Sequence, residues 1–199
     1  MRRPVVVKLG GSLLDWPDFP DRVRVVLRFF AAYPCIVVVG GGKSADVVRA
    51  LDSAHAIGEN RSHALALRAL DLTAAVVEAL VEGLVVVERP GEVERAWEAG
   101  QTPVLAPRWF MEHVDAASSD PLPRTWAVTT DSIAARVATY FGARELALLK
   151  STAPETDTDR RSACGLGLVD SEFLTSSSRL PRVSVWDLRE TPVRSIILT

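Results

Sequence analysis

Lysine is scarce in this 199-residue chain: among 23 basic side chains only Lys8, Lys43 and Lys150 are lysines, and the rest are arginines. Each of the three sits in a telling place. Lys8 nears the end of the apolar run Val5-Val6-Val7-Lys8-Leu9, Lys150 ends Leu146-Ala147-Leu148-Leu149, and Lys43 follows Gly40-Gly41-Gly42. An ammonium is a compact charge on a flexible stem, suited to following a phosphoryl group in motion, whereas a guanidinium is a rigid fork. With arginine as the routine surface cation, three lysines at strand ends and turns point beyond solvation.

Two glycine turns accompany them, Lys8-Leu9-Gly10-Gly11-Ser12 and Gly40-Gly41-Gly42-Lys43-Ser44. Glycine lets backbone N–H donors approach phosphate oxygens closely, and a following helix N-terminus adds a favourable dipole. One triple glycine alone reads as a tight connection; two at matching positions, each with a lysine, favour a phosphate cradle. A third cluster, Val128-Thr129-Thr130-Asp131-Ser132, opens a helical pattern. Its hydroxyls and carboxylate suit an N-cap, and a carboxylate fixed there can also hold a lysine ammonium.

Near-miss motifs fail on single residues. The P-loop spacing before Gly42-Lys43-Ser44 needs glycine where Val37 stands, and G-x-G-x-x-G breaks at Ala45. No zinc-type spacing occurs, so no metal ligand is assigned.

The elements that must position these groups follow from periodicity. β-Branched runs at 5–9, 35–39, 84–87, 103–105 and 146–149 alternate with helical patterns at 18–33, 44–53, 60–81, 91–99, 108–114 and 132–141. That alternation predicts an α/β fold, a three-layer αβα sandwich on a mostly parallel sheet, with ligand groups at the C-terminal strand ends. Residues 115–124 and 151–167 read as loops, and 183–186 and 193–198 as closing, antiparallel-capable strands. One domain over 1–199 is expected. A net charge of −2 argues against nucleic-acid and anionic-membrane partners. No apolar stretch has signal-peptide or membrane-spanning character, and two cysteines without a framework suit reduced thiols, so a cytoplasmic location is expected.

In order, Lys8-Leu9-Gly10-Gly11-Ser12, Val38-Val39-Gly40-Gly41-Gly42 and Thr129-Thr130-Asp131-Ser132-Ile133-Ala134-Ala135 resemble the motifs of the amino-acid kinase family, over roughly residues 4–150. The resemblance implies transfer of the γ-phosphoryl group of ATP, with Mg²⁺ held largely by the nucleotide's phosphates. Carried over by position, Lys8 and the amides of Gly10 and Gly11 would stabilise the moving phosphoryl group, and Asp131 would organise the lysines. Ser12, Thr130, Lys150 and Ser151 would join the phosphate and ATP side, and Gly40, Gly41, Gly42 and Lys43 the acceptor side. Many members carry a second catalytic lysine later in the chain. No lysine follows position 150 here, so Lys150 is the candidate substitute, with Arg160 or Arg161 as alternatives.

The segment after the second glycine turn offers Arg49, Asp52, His55 and His63 as acceptor contacts, a set suited to an acceptor bearing both phosphate and ammonium. Within the family, this segment and the Leu148-Leu149-Lys150-Ser151 ending resemble small kinases of methanofuran-type cofactor biosynthesis, which convert an aminomethylfuran methyl phosphate to its diphosphate. The alternatives are a kinase for an amino-acid carboxylate or a nucleoside monophosphate, or a non-catalytic nucleotide- or oxyanion-binding protein. The Ala- and Leu-rich helix over 62–81 is a candidate homodimer surface.

Overall fold

The computed structural model describes residues 2–154 and 156–199; Met1, and Glu155 in the expected 151–167 loop, lie outside them. In chain order the elements are β1 (Val5–Leu9), a 3-10 turn (Gly11–Leu13), α1 (Phe19–Phe29), β2 (Cys35–Val39), α2 (Gly42–His55), α3 (Glu59–Leu80), β3 (Leu84–Val87), α4 (Pro90–Glu98) and β4 (Thr102–Leu105). There follow α5 (Pro107–Phe110), α6 (Thr130–Tyr140), β5 (Glu145–Lys150), α7 (Arg160–Gly165), α8 (Phe173–Ser176), β6 (Val183–Asp187) and β7 (Arg194–Leu198). The seven strands form one sheet in the order β3-β4-β2-β1-β5-β6-β7. Every neighbouring pair is parallel except β6 and β7. Among the described residues no helix is long and apolar enough to cross a membrane.

β1 and β5 are central strands with both faces covered, which is why they read as nearly unbroken apolar runs. Alternate residues serve opposite faces. Val5, Val7 and Leu9 pack with Phe19, Val23 and Val26 of α1 and with Ala74 and Val77 of α3. Val6, with Leu146 and Leu148 of β5, packs with Ile133, Ala134 and Val137 of α6. This parity places the two lysines. Lys8 shares the face of Val6 and pairs in register with Leu148, and Lys150, two residues beyond Leu148, shares that face too. Both stems therefore rise toward α6 at the C-terminal edge of the sheet.

The structure differs from the sequence reading in three places. The helix expected over 108–114 is one α-helical turn, Pro107–Phe110, running into a π-helical turn, Met111–Asp115. The loop expected over 151–167 holds α7, whose N-cap Asp159 accepts hydrogen bonds from the Ser162 amide and hydroxyl at 2.8 and 2.7 Å. α8 has no counterpart in the sequence pattern, because four residues are too few to show a helical period.

Candidate active site

Thr129 caps α6, its hydroxyl accepting from the Asp131 amide at 3.3 Å. This cap turns the Asp131 side chain back over the ends of β1 and β5, where the residue is only 4% exposed. Lys150 Nζ donates to Asp131 Oδ2 at 2.8 Å, and Lys8 Nζ forms an ion pair with Oδ1 at 2.9 Å. Burial alone would raise the Asp131 carboxyl, but Lys8 and Lys150 outweigh it and hold the group below the ordinary carboxylate range. Burial first, and Lys8 second, push the Lys150 ammonium below the usual lysine range against the pull of Asp131. One carboxylate between two ammonium groups leaves a surplus positive charge within the cluster, and an entering anion would neutralise it.

Two cavities meet at this cluster. One of about 560 Å³ lies on the α2–α3 side and one of about 460 Å³ on the side of the 151–154 and 166–168 segments; Lys8, Gly11 and Ser12 line both. The wall between them is thin because the two glycine turns touch backbone to backbone. A Cβ on Gly11 would lie 2.2 Å from Gly42 N, and Gly42 itself has φ +49°, where only glycine is unstrained. A donor bound in one cavity and an acceptor in the other would face each other across Lys8.

The structure sorts the sequence candidates. Ser12 reaches both cavities, and Lys150 and Ser151 line the smaller one, whereas Thr130, grouped with them in the sequence, lines the larger. Gly40, Gly41 and Gly42 line the larger cavity together. The Gly10 amide, expected to face phosphate, donates to Leu149 O at 2.8 Å, because strand pairing continues one residue past β1. The Gly40 amide is engaged likewise with Leu9 O at 2.8 Å.

Lys43 does not join the other two lysines. Its side chain is 84% exposed at the cavity rim and pairs with Asp15 at 2.7 Å. That contact lowers the Asp15 carboxyl and raises the Lys43 ammonium. Arg160, an alternative second cation, is committed elsewhere, donating to the backbone carbonyls of Ser177, Leu180 and Leu198. The exposed Arg161 lines neither of the two cavities.

The four residues that the sequence offers as acceptor contacts are not all brought to one cavity. Arg49 and His63 line the larger cavity. His63 is 7% exposed, and burial lowers its pKa below the usual histidine value. His55 is exposed at the end of α2 and lines neither cavity. Asp52 points to structure: its carboxylate accepts from Trp126 Nε1 and from the Gly58 amide, each at 2.9 Å, and both contacts hold its pKa down. Trp126, so fixed, presents its ring to the cavity with the Arg49 guanidinium 4.8 Å from the ring centroid.

Trp126 and Asp170 escaped the sequence reading. The Asp170 carboxylate binds both residues that flank the Thr130-Asp131 pair, Thr129 at 2.6 Å and Ser132 at 2.5 Å by their hydroxyls. An acidic residue in a turn gives no sign of a partner some forty positions away.

Residues 3–154 match the sequence model of the amino acid kinase family. The chain belongs to that family. Lys8, the two glycine turns, Asp131 and Lys150 all fall within the span that this amino acid kinase pattern covers, whereas Asp170 lies beyond it. A [5-(aminomethyl)furan-3-yl]methyl phosphate kinase of Methanocaldococcus jannaschii is 27% identical over 143 residues, 71% of this chain. The chain spans 62% of that relative's length. Among solved structures, the UMP kinase of Ureaplasma parvum aligns over 100% of both chains with a TM-score of 0.70 at 14% identity. The uridylate kinase of Archaeoglobus fulgidus aligns over 100% of this chain and 91% of its own with a TM-score of 0.63 at 16% identity. These likenesses carry the amino acid kinase fold, with its seven-stranded, mostly parallel sheet, across the whole chain.

Proposed function

We propose that this chain is an ATP-dependent phosphotransferase acting on a small phosphorylated acceptor, of which (5-(aminomethyl)furan-3-yl)methyl phosphate is the leading candidate. The observation that carries the reading is the Lys8–Asp131–Lys150 cluster at the meeting point of two cavities. Phosphoryl transfer asks mainly for alignment and for charge stabilisation at the equatorial oxygens, and requires no covalent nucleophile. In this reading ATP lies on the Ser151 side and the acceptor on the Trp126 side. Lys8 stabilises the transferring group between them, and Lys150 serves in place of the later lysine of other family members. Asp131 contacts both ammonium groups and aims them.

The larger cavity suits a flat, partly apolar acceptor that carries an anion. Leu14, Leu67, Leu70 and Ile133 furnish its apolar wall, Trp126 an aromatic face, and Arg49 a cation. The relative from Methanocaldococcus jannaschii supports the aminomethylfuran phosphate among such acceptors.

Mg²⁺ would accompany ATP, but the described residues form no cage for it. Asp131 is occupied by two lysines and Asp170 by Thr129 and Ser132, and among the described residues no group of three or more His, Cys, Asp or Glu is placed to hold a metal ion. Phosphate oxygens are then its main ligands.

Two further readings complete the proposal. The unpaired thiols of Cys35 and Cys164 fit a reducing, cytoplasmic setting. α3 exposes Leu65, Leu72, Val76 and Leu80 at spacings of seven, four and four, a stripe that a second copy would cover in a homodimer.

The test is ADP release by the purified protein with ATP, Mg²⁺ and, side by side, the furan monophosphate, UMP and acetylglutamate. Turnover with the furan monophosphate at the highest kcat/KM supports the proposal. Preference for UMP or acetylglutamate reassigns the acceptor, and ATP binding with no turnover on any acceptor favours a binding protein.

A further inference from the structure

Asp170 sits between the short helices α7 and α8, outside the catalytic strands and outside the span matched by the family pattern. Five donors converge on its carboxylate. Oδ2 accepts from the Thr129 amide at 3.1 Å, the Thr129 hydroxyl at 2.6 Å and the Ser132 amide at 3.1 Å. Oδ1 accepts from the Ser132 hydroxyl at 2.5 Å and the Glu172 amide at 3.1 Å. A carboxylate offers about four lone-pair sites, so five donors saturate this one.

The consequence falls on Asp131. The Thr129 hydroxyl has one proton, and Asp170 takes it; the oxygen's lone pairs are thereby turned to the Asp131 amide, which donates to it at 3.3 Å. Ser132, on the other side of Asp131, is held by both its amide and its hydroxyl. The backbone that carries Asp131 is thus fixed at both flanks by a single distant side chain. Thr129 satisfies one of the amides that the first turn of α6 leaves without an intrahelical partner, that of Asp131, and Asp170 satisfies the next, that of Ser132, while also binding both flanking hydroxyls. The additional clamp bears on the aim of the Asp131 carboxylate, and through it on Lys8 and Lys150.

We infer that Asp170 is a positioning residue for phosphoryl transfer, clamping the Thr129–Ser132 turn so that Asp131 holds both lysines at the junction of the two cavities. The inference rests on the kinase reading above, and it gives the chain beyond residue 154 a direct part in building the site. Displacing a catalytic constellation by about 1 Å costs on the order of 100-fold in rate. Asp170→Ala should therefore lower kcat by roughly 10- to 100-fold while the KM for ATP and acceptor stays within about threefold. Asp170→Asn keeps a carbonyl oxygen for the three donors on Oδ2, so it should recover a substantial part of kcat.

The experiment compares wild type, Asp170→Ala, Asp170→Asn, Asp131→Asn and the Asp170→Ala/Asp131→Asn double variant. It reads kcat, KM and amide hydrogen exchange over residues 128–134. Faster exchange confined to 128–134, a kcat loss without a KM change, rescue by Asn, and little further loss when Asp170→Ala is added to Asp131→Asn are the expected results. Wild-type exchange in Asp170→Ala overturns the clamp. Raised exchange with unchanged kcat, or a kcat loss that simply multiplies with that of Asp131→Asn, overturns the positioning role. The exchange measurement needs no turnover, so a wild-type protein inactive on every acceptor would count against the kinase reading alone, while the clamp would be decided by exchange.

Discussion

Replacing Asp131 by Asn exchanges a buried carboxylate for an amide of nearly the same shape, which isolates charge from packing. The variant leaves the ammonium groups of Lys8 and Lys150 facing each other without the anion that both contact, at 2.9 and 2.8 Å. Removing one partner of a buried ion pair costs about 3–5 kcal/mol, chiefly through the charge left uncompensated. For a chain of this size each kcal/mol moves Tm by about 2–4 °C, so a fall of about 6–20 °C is expected.

Lys150→Met should act in the opposite direction on stability. It removes one of two like charges and leaves the Lys8–Asp131 pair neutral, so Tm holds or rises while phosphoryl transfer is lost. Combining both substitutions leaves a single buried ammonium and should recover part of the Asp131→Asn loss. The pH dependence carries the same signs. Asp131 titrates below its unfolded value of about 3.9, so its stabilisation is present above that pH and is lost as pH falls through the lower folded pKa. Lys150 titrates below its unfolded value, so the penalty on its charged form is present at low pH and is relieved as pH rises through its folded pKa. In Asp131→Asn the acid limb should flatten and the alkaline gain should steepen. Thermal and urea denaturation across pH measure both, with an unchanged urea m-value as the check that only stability moved. A neutral-pH Tm within about 2 °C of wild type, or the same sign for Asp131→Asn and Lys150→Met, would refute the buried-surplus argument.

Three other perturbations probe separate parts of the account. Gly11→Ala drives a Cβ to 2.2 Å from the Gly42 backbone, which cannot yield as a side chain would; a loss of about 1–3 kcal/mol in urea titration is expected, together with loss of turnover. Trp126→Leu removes the ring that Asp52 and Arg49 hold at the larger cavity; acceptor KM should rise several-fold with the KM for ATP unchanged in steady-state kinetics. Leu72→Glu places a charge in the exposed α3 stripe; a dimer resting on that stripe should shift to monomer in light scattering, with Tm near that of an isolated protomer.

Much of the architecture was legible because the central strands are covered on both faces and so read as short apolar runs ended by glycine or lysine. Lys8 and Lys150 were visible for the same reason, as charges interrupting buried strands at their C-terminal ends. Elements whose shape is decided by distant partners were not. Asp52 looks like an acceptor ligand until Trp126, far along the chain, is seen to claim its carboxylate. His55 and His63 look alike in sequence, but one ends a helix in solvent and the other faces inward from the first turns of α3. Lys43 shares the glycine context of Lys8, yet it sits in the first turn of a helix whose outer face meets solvent and Asp15 rather than Asp131. The amides of Gly10 and Gly40 are engaged because strand pairing overruns the strand ends, which no residue type announces.

The central claim is that Lys8, Asp131 and Lys150 pass a phosphoryl group between two adjoining cavities. Its most direct test is ³¹P NMR of wild type and Lys8→Ala incubated with ATP, Mg²⁺ and the furan monophosphate, with ATP affinity measured in parallel. The account predicts that wild type forms ADP and a new diphosphate in equal amounts, and that Lys8→Ala still binds ATP but loses turnover by about 100-fold or more. ADP formation by wild type with no phosphorylated acceptor, or full turnover by Lys8→Ala, would contradict it.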